Sequence, residues 1–277
     1  MTAAARAINV TQSAASAAIA ALEDRHGVKL FDRVGRNIVL TEAGRAFLDE
    51  ARAVLARARA AELVLDDLSG LRRGTLRLVA SQTIAAYWLP PVLASFRAAH
   101  KLLTVELAIG NSEAAAARVH DGQAEVGFIE GAIEDPALAR WQVGEDRLLL
   151  VQAAPMPGPV DTATLAGARW VMREQGSGTR STFDAAMRQI GIDPIVLDVA
   201  LVLPSNESVR TAVEAGAGIA ALSALVVAQS LAAGTLHALP FDLGTRLFYG
   251  LRHKERYRSK AADALLAMIN GLEKAAT

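Results

Sequence analysis

The feature that most constrains this chain is a change of pattern at Gly74. Before it, residues 2–70 read as helix almost throughout, rich in Ala, Leu, Arg and Glu, with one interruption at Gly27 to Thr41. After it, Thr75-Leu-Arg-Leu-Val-Ala alternates as a strand does, and short strand-like runs then trade places with amphipathic helical ones. Strands are predicted at 75–80, 104–109, 125–129, 147–153, 169–173, 197–202, 219–222 and 246–252. Helices fall at 84–99, 112–121, 179–190, 206–215, 224–233 and 260–275. Strands alternating with helices imply parallel sheets covered by helices. Pro155-Met-Pro-Gly-Pro159 is the stiffest punctuation and marks a crossing between two α/β lobes. The expected organisation is a head at 1–45, a linker helix at 46–73 and a two-lobed body at 74–277. Lobe I takes about 74–150 and 249–277, and lobe II about 151–248.

Composition narrows the function classes. Basic and acidic residues number 29 each in 277 residues, so bulk charge does not drive binding to nucleic acid or membrane. Residues 1–73 nevertheless hold 11 basic and 9 acidic residues, a net +2 that the remainder cancels. There is no cysteine, which removes disulfides, thiolate metal sites and thiol nucleophiles. No apolar run reaches the roughly 18 residues of a membrane span, and Met1 to Val10 lacks the apolar core of a signal peptide. The expectation is a cytoplasmic protein with no membrane partner.

Within the head, Thr11 caps a helix whose buried stripe is Ala15, Ile19 and Leu22. Only Asn9 and Val10 join it to the helix before, the geometry of a helix-turn-helix, whose second helix offers its amino end to the major groove. Gln12, Ser13 and Ser16 stand on that end: glutamine pairs with adenine edges, and hydroxyls reach bases or phosphates. Two short runs then turn at Gly35 to form a hairpin, a wing carrying Arg33, Arg36 and Asn37 toward phosphates. Thr41 caps the next helix, with Glu42 in its first turn. Along that helix Phe47, Ala51, Val54, Ala58, Ala61, Leu65 and Leu68 alternate at gaps of four and three, a coiled-coil seam that calls for a partner chain.

Several blocks in this order and spacing, Ala3 to Ser16, Leu22-Glu23, Gly27-Val-Lys-Leu-Phe-Asp-Arg33 and Leu40-Thr-Glu-Ala-Gly44, resemble the winged helix-turn-helix of LysR-type transcriptional regulators. The resemblance extends over the whole chain. It implies that the linker helix pairs two subunits, as a homodimer or within a homotetramer, and that residues 74–277 form an effector-binding domain similar in fold to periplasmic binding proteins. Two departures stand out. Family members begin with a further helix, so this chain reads as shortened at its amino end. Ala14, Ala17 and Ala18 also replace a proline and two polar residues, leaving fewer side chains for DNA.

In open parallel sheets ligands bind beyond the carboxyl ends of strands. The loops there carry Ser81, Gln82 and Thr83; Asn111 and Ser112; Glu130 and Gly131; Thr179 and Arg180 within Arg173-Glu-Gln-Gly-Ser-Gly-Thr-Arg; and Ser205 and Asn206. Hydroxyls and free amides at helix starts suit a carboxylate or oxyanion. Glu130 is the odd member, pointing to a hydroxyl, ammonium or water, or to a nearby arginine. Each loop alone also suits ordinary capping. Enzymatic readings fare poorly. The histidines show no metal spacing, no Gly-x-Ser-x-Gly elbow is present, and Gly216-Ala-Gly218 lies before a strand instead of after one. No catalytic residue, metal or cofactor is expected. The function implied is a regulator binding double-stranded DNA, switched by a small anionic effector between two α/β lobes. The alternative is a solute-type binding protein that does not bind DNA in this shortened form.

Overall fold

The structure, a computed structural model, describes residues 2–35, 37–68, 74–131, 133–156 and 158–276. Arg36 and the last five residues of the expected linker, 69–73, lie outside them. The chain divides into two compact units, residues 1–57 and 58–277.

In the first unit, helix α1 (Thr2–Ala7) turns through Asn9, whose φ of 54° is one that asparagine tolerates better than most residues, into α2 (Gln12–His26). Gly27 ends α2 in the left-handed conformation at φ 64°. Strands β1 (Phe31–Val34) and β2 (Asn37–Leu40) pair antiparallel about Gly35, itself at φ 62°. Helix α3 (Glu42–Leu68) follows. The Thr41 hydroxyl accepts from the Gly44 amide at 2.8 Å and donates to the Lys29 carbonyl at 2.7 Å, tying the start of α3 to the hairpin. Gly44 is required there: a Cβ on it would lie 2.0 Å from the Leu30 carbonyl oxygen.

The second unit holds β3 (Thr75–Ser81), α4 (Leu89–Ala99), β4 (Thr104–Gly110), α5 (Ser112–His120), β5 (Val126–Glu130) and β6 (Leu138–Gln152). It continues with α6 (Thr162–Ala166), β7 (Arg169–Arg173), α7 (Gly178–Gln189), β8 (Asp198–Leu203), α8 (Asn206–Glu214), β9 (Ala220–Ser223), α9 (Ala224–Ala232), β10 (His237–His253) and α10 (Lys260–Ala276). The larger sheet has the order β4-β3-β5-β10-β6-β9. Here the expectation of purely parallel sheets fails. β3 is parallel to β4 and β5, but β10 runs antiparallel to both β5 and β6, and β6 antiparallel to β9. The long strands β6 and β10 also extend well beyond the short runs read for them. Register shifts on both sides of Asp242 and between Phe248 and Tyr249 break the period-two alternation that would have revealed them. Lobe II adds the parallel pair β7-β8, joined to the larger sheet by a bridge from Trp170 to Ile219.

The helix expected at 84–99 is also divided. Residues Ile84–Trp88 form a π-helical turn, with the Leu89 amide bonded to the Ile84 carbonyl, before α4 begins. Pro90 and Pro91 have no N–H with which to continue the α ladder back into this segment. Such turns recur at functional sites, and this one starts directly after Thr83.

Lobe I packs around Leu76, Leu78, Phe96, Phe128, Phe248 and Leu265. Lobe II packs around Trp170, Phe183 and Met187 on one side of its sheet and Val171, Val209 and Leu222 on the other. Among the described residues, no helix is long and apolar enough to cross a membrane.

Candidate functional site

The two lobes meet at loops that leave the carboxyl ends of β3, β4, β5, β7 and β8. Ser81, Thr83, Ser112, Glu130, Thr179 and Asn206 are all buried, and Gln82, Asn111, Gly131, Arg180 and Ser205 half-buried. Polar side chains bridge the lobes directly. Gln82 Nε2 donates to the Pro204 carbonyl at 2.8 Å while its Oε1 accepts from the Asn206 amide at 3.0 Å. Asn206 Nδ2 donates to Thr83 Oγ1 at 3.0 Å, and its Oδ1 accepts from the Arg173 guanidinium. On the other side of the cleft Asn111 Nδ2 donates to Glu174 Oε1 at 3.3 Å, and the Glu113 amide donates to the Gly176 carbonyl at 3.1 Å.

Glycines let the lobes come this close. A Cβ on Gly178 would lie 2.1 Å from the Glu130 carbonyl oxygen, and one on Gly176 would lie 2.4 Å from Glu113 Oε2. The Gly-Ser-Gly of residues 176–178 therefore serves lobe contact. Arg180, expected to face a ligand from this loop, is turned aside: its Nε donates to Asp184 Oδ1 at 2.8 Å. Ser205 caps α8, accepting from the Ser208 amide at 3.0 Å.

At the centre lies a side chain that the loop-based reading did not include. Arg246, on β10, is 3% exposed; its Nη2 donates to Asp146 Oδ2 at 2.7 Å and its Nη1 to Thr179 Oγ1 at 3.0 Å. Its Nη2 also reaches Thr83 Oγ1 at 3.4 Å, and Glu130 Oε1 stands 3.6 Å away. The arginine partner anticipated for Glu130 is thus Arg246, and the other oxygen of Glu130 accepts from the Ser81 hydroxyl. Arg173, equally buried, pairs with Glu174 at 2.8 Å. A signal for Arg246 and Asp146 does exist in the sequence. Each stands two residues before a buried apolar side chain, Phe248 and Leu148, and so occupies the core-facing parity of its strand, where a charge is out of place. Only strand pairing sets them opposite each other. Two guanidinium groups, three hydroxyls and an amide converge here as donors suited to an anion, with Glu130 and Asp146 as acceptors for a hydroxyl. Among the described residues no group of His, Asp and Glu is arranged to hold a metal.

In the first unit Gln12 and Ser13 are exposed at the start of α2, and Gln12 Nε2 donates to Ser16 Oγ at 3.1 Å. Thr11 is engaged in capping, accepting from the Ala14 amide at 3.1 Å. Arg33 and Asn37 are exposed on the hairpin; Arg36, expected beside them, lies outside the described residues. An open groove of about 560 Å³ between α2 and the hairpin is lined by Gln12, Ser16, Ile19, Phe31, Arg33 and Ile38 among others. Beside it the buried Glu23 carboxylate holds the hairpin to α2, accepting from the Leu30 amide at 2.7 Å and from Lys29 Nζ at 2.8 Å. The Lys29 hydrogen bond, then the Leu30 amide, hold its carboxyl below the ordinary 4.5.

Residues 69–272 match the LysR substrate binding domain, and residues 1–45 match the bacterial regulatory helix-turn-helix of the lysR family. The chain belongs to the LysR family. This LysR-type regulator is 36% identical over 262 residues to the HTH-type transcriptional regulator YeiE of Escherichia coli K12, covering 93% of this chain and 87% of that protein. It is 29% identical over 273 residues to the HTH-type transcriptional regulator CbbR of Rhodospirillum rubrum, covering 96% and 89%. Its fold matches full-length CbnR complexed with its target DNA at a TM-score of 0.68 and 20% identity, over 98% of this chain and 93% of that one. It also matches the regulatory domain of Synechocystis PCC6803 CcmR in complex with 2-PG, at 0.66 and 22%, over 73% of this chain and 98% of that one. The LysR chain is therefore a DNA-binding transcriptional regulator with a two-lobed effector-binding domain.

Proposed function

We propose that this regulator is switched by a small anion held between the lobes at Ser81, Thr83, Arg173, Asn206 and Arg246. The observation that carries the reading is the meeting of two buried guanidinium groups with hydroxyls and an amide at the lobe boundary, where each bond also bridges or borders the two lobes. An anion entering there replaces lobe-to-lobe bonds with its own, so its affinity differs between lobe arrangements, which is the condition for a ligand to shift them. Gln82, Asn111, Ser112, Gly131, Thr179, Arg180 and Ser205 border this site. A neighbouring fold, the CcmR domain, is bound to 2-PG, and another, the QuiR effector domain, to shikimate. Both suit an anionic class.

DNA is read by Gln12, Ser13 and Ser16 from α2, with Thr11 holding the helix start and Arg33, Arg36 and Asn37 of the wing on phosphates. Two copies pair through α3, whose seam residues Val54, Leu65 and Leu68 are 68, 69 and 79% exposed in the single chain. The protein works in the cytoplasm and catalyses no reaction. The test is a thermal-shift series with 2-phosphoglycolate, shikimate, sulfate and phosphate on the wild type and on Arg173→Met and Thr83→Ala. At least one anion is expected to raise the wild-type midpoint and to leave both variants unmoved. A wild type indifferent to all four, or variants that respond as it does, would overturn the site.

A further inference from the structure

Two elements of lobe I touch the cleft at one end and the linker helix at the other. Helix α5 starts at Asn111 and Glu113, which bond lobe II, and ends in the turn whose Gly122 carbonyl accepts from Arg59 Nη1 of α3 at 3.3 Å. Strand β5, buried along its whole length, ends at Glu130 in the cleft. At its start, the Glu125 carboxylate accepts from the Ser259 hydroxyl at 2.5 Å, and Ser259 in turn caps α10 through the Ala262 amide at 3.1 Å.

Asp67 of α3 closes this second route. It is 5% exposed, and its carboxylate accepts from the Lys260 amide at 2.9 Å and the Tyr257 hydroxyl at 2.8 Å, while its carbonyl accepts from Lys260 Nζ at 3.2 Å. A carboxylate at the start of α10 also complements that helix's dipole. Arg256, in the segment just before Tyr257 and α10, donates from Nη1 to the Val119 carbonyl at the end of α5, at 2.6 Å. α5 and β5 are each about 15 Å long by their residue rises, and they pack on each other through Val119, Ala115 and Ile129.

We propose that Arg59 and Asp67 are positioning residues for regulation: they clamp the carboxyl-terminal half of the linker helix to the far ends of α5 and β5, whose near ends form one wall of the cleft. Displacement of that wall is delivered to the helix through these two side chains. Two stiff levers held at both ends are a physical route for coupling, and the claim is of a measurable coupling between sites. It rests on the cleft being the place where the lobes open.

The test needs no effector. In the full-length chain, Asn206→Ala removes the bonds to Thr83 and Arg173 and so loosens the cleft, and amide hydrogen exchange is read by mass spectrometry in two peptides, 173–179 and 58–68. In the wild-type background Asn206→Ala is expected to raise exchange several-fold in both. In an Arg59→Ala/Asp67→Asn background it is expected to raise exchange at 173–179 as before and to leave 58–68 where the double substitution alone put it. Tyr257→Phe, which removes only one hydroxyl from Asp67, is the milder second background and is expected to reduce the linker response partly. A linker response to Asn206→Ala that is the same in all backgrounds, or absent in the wild type while 173–179 responds, overturns the clamp. No rise at 173–179 would instead overturn the reading of the cleft on which the clamp rests.

Discussion

The two units of this chain are stabilised in different ways. Among the described residues of the head, the buried apolar side chains are Ala5, Leu30 and Ala56, and its joints are polar: Glu23 on the hairpin amides, Thr41 between Lys29 and Gly44. The effector domain buries large aromatic and aliphatic clusters on both sides of its sheets and gathers the buried charges Glu130, Asp146, Arg173 and Arg246 at the lobe boundary. The lesson is that in the head each polar joint carries a large share of a small total. In the effector domain the polar network joins the lobes, while the apolar clusters hold each lobe together.

The largest expected effect lies in the effector domain. Arg246→Met leaves Asp146 and Glu130 buried beside each other without their cation, and should cost about 3–5 kcal/mol in urea unfolding of that domain. A loss near zero would show that the network is dispensable and would erase the contrast. Next is Gly44→Ala in the head, where the added methyl meets the Leu30 carbonyl. Overpacking of about 1–3 kcal/mol is expected, seen as faster amide exchange across residues 12–40 with effector-domain unfolding unchanged. Thr41→Ala removes a cap and a hairpin tie for about 1 kcal/mol, by the same readout, and a rescue by Thr41→Ser would assign the effect to the hydroxyl.

The smallest effect is in pH, where the two units should respond in opposite senses. Glu23 is held below its ordinary value of 4.5 by Lys29, so its stabilisation of the head is complete above that value and is lost as pH falls through the lowered one. Glu125 is pushed above 4.5 by burial, so the folded effector domain holds that proton more tightly than the unfolded chain does. Acidification through that raised value therefore favours the folded domain. As pH falls toward 4.5, Glu125→Gln should abolish this gain, and below 4.5 Glu23→Gln should flatten the acid loss in the head; each is measured by exchange in its own unit.

How much was legible follows the same division. Thr11, Gly27 and Gly35 act on the backbone within a few positions of themselves, as Thr41 does in capping Gly44, so caps, turn and hairpin could be read from residue order alone. The loops at strand ends were legible for the same reason, since Asn111 and Ser205 are helix-cap residues in sequence as well as in space. Arg246 and Asp146 were not read because their meaning depends on a strand pairing 100 residues apart in sequence, and the bulges around Asp242 hid the strand that carries one of them. Arg180 shows the converse: a cation well placed in sequence was captured by Asp184 one helical turn away.

Residue order alone sets the succession of parts, a helix-turn-helix with wing, a one-sided linker helix and an alternating α/β body, because hydrophobic period and capping are local and survive without knowledge of the fold. Folding in three dimensions is what sets β10 against its neighbours, places Arg246 between Asp146, Glu130 and Thr83, and brings Asp67 of the linker to the start of α10. Those are contacts between residues far apart along the chain. The strand parity of Arg246 and Asp146 marks each as a charge on the core-facing side, but only the fold supplies the partner that satisfies it.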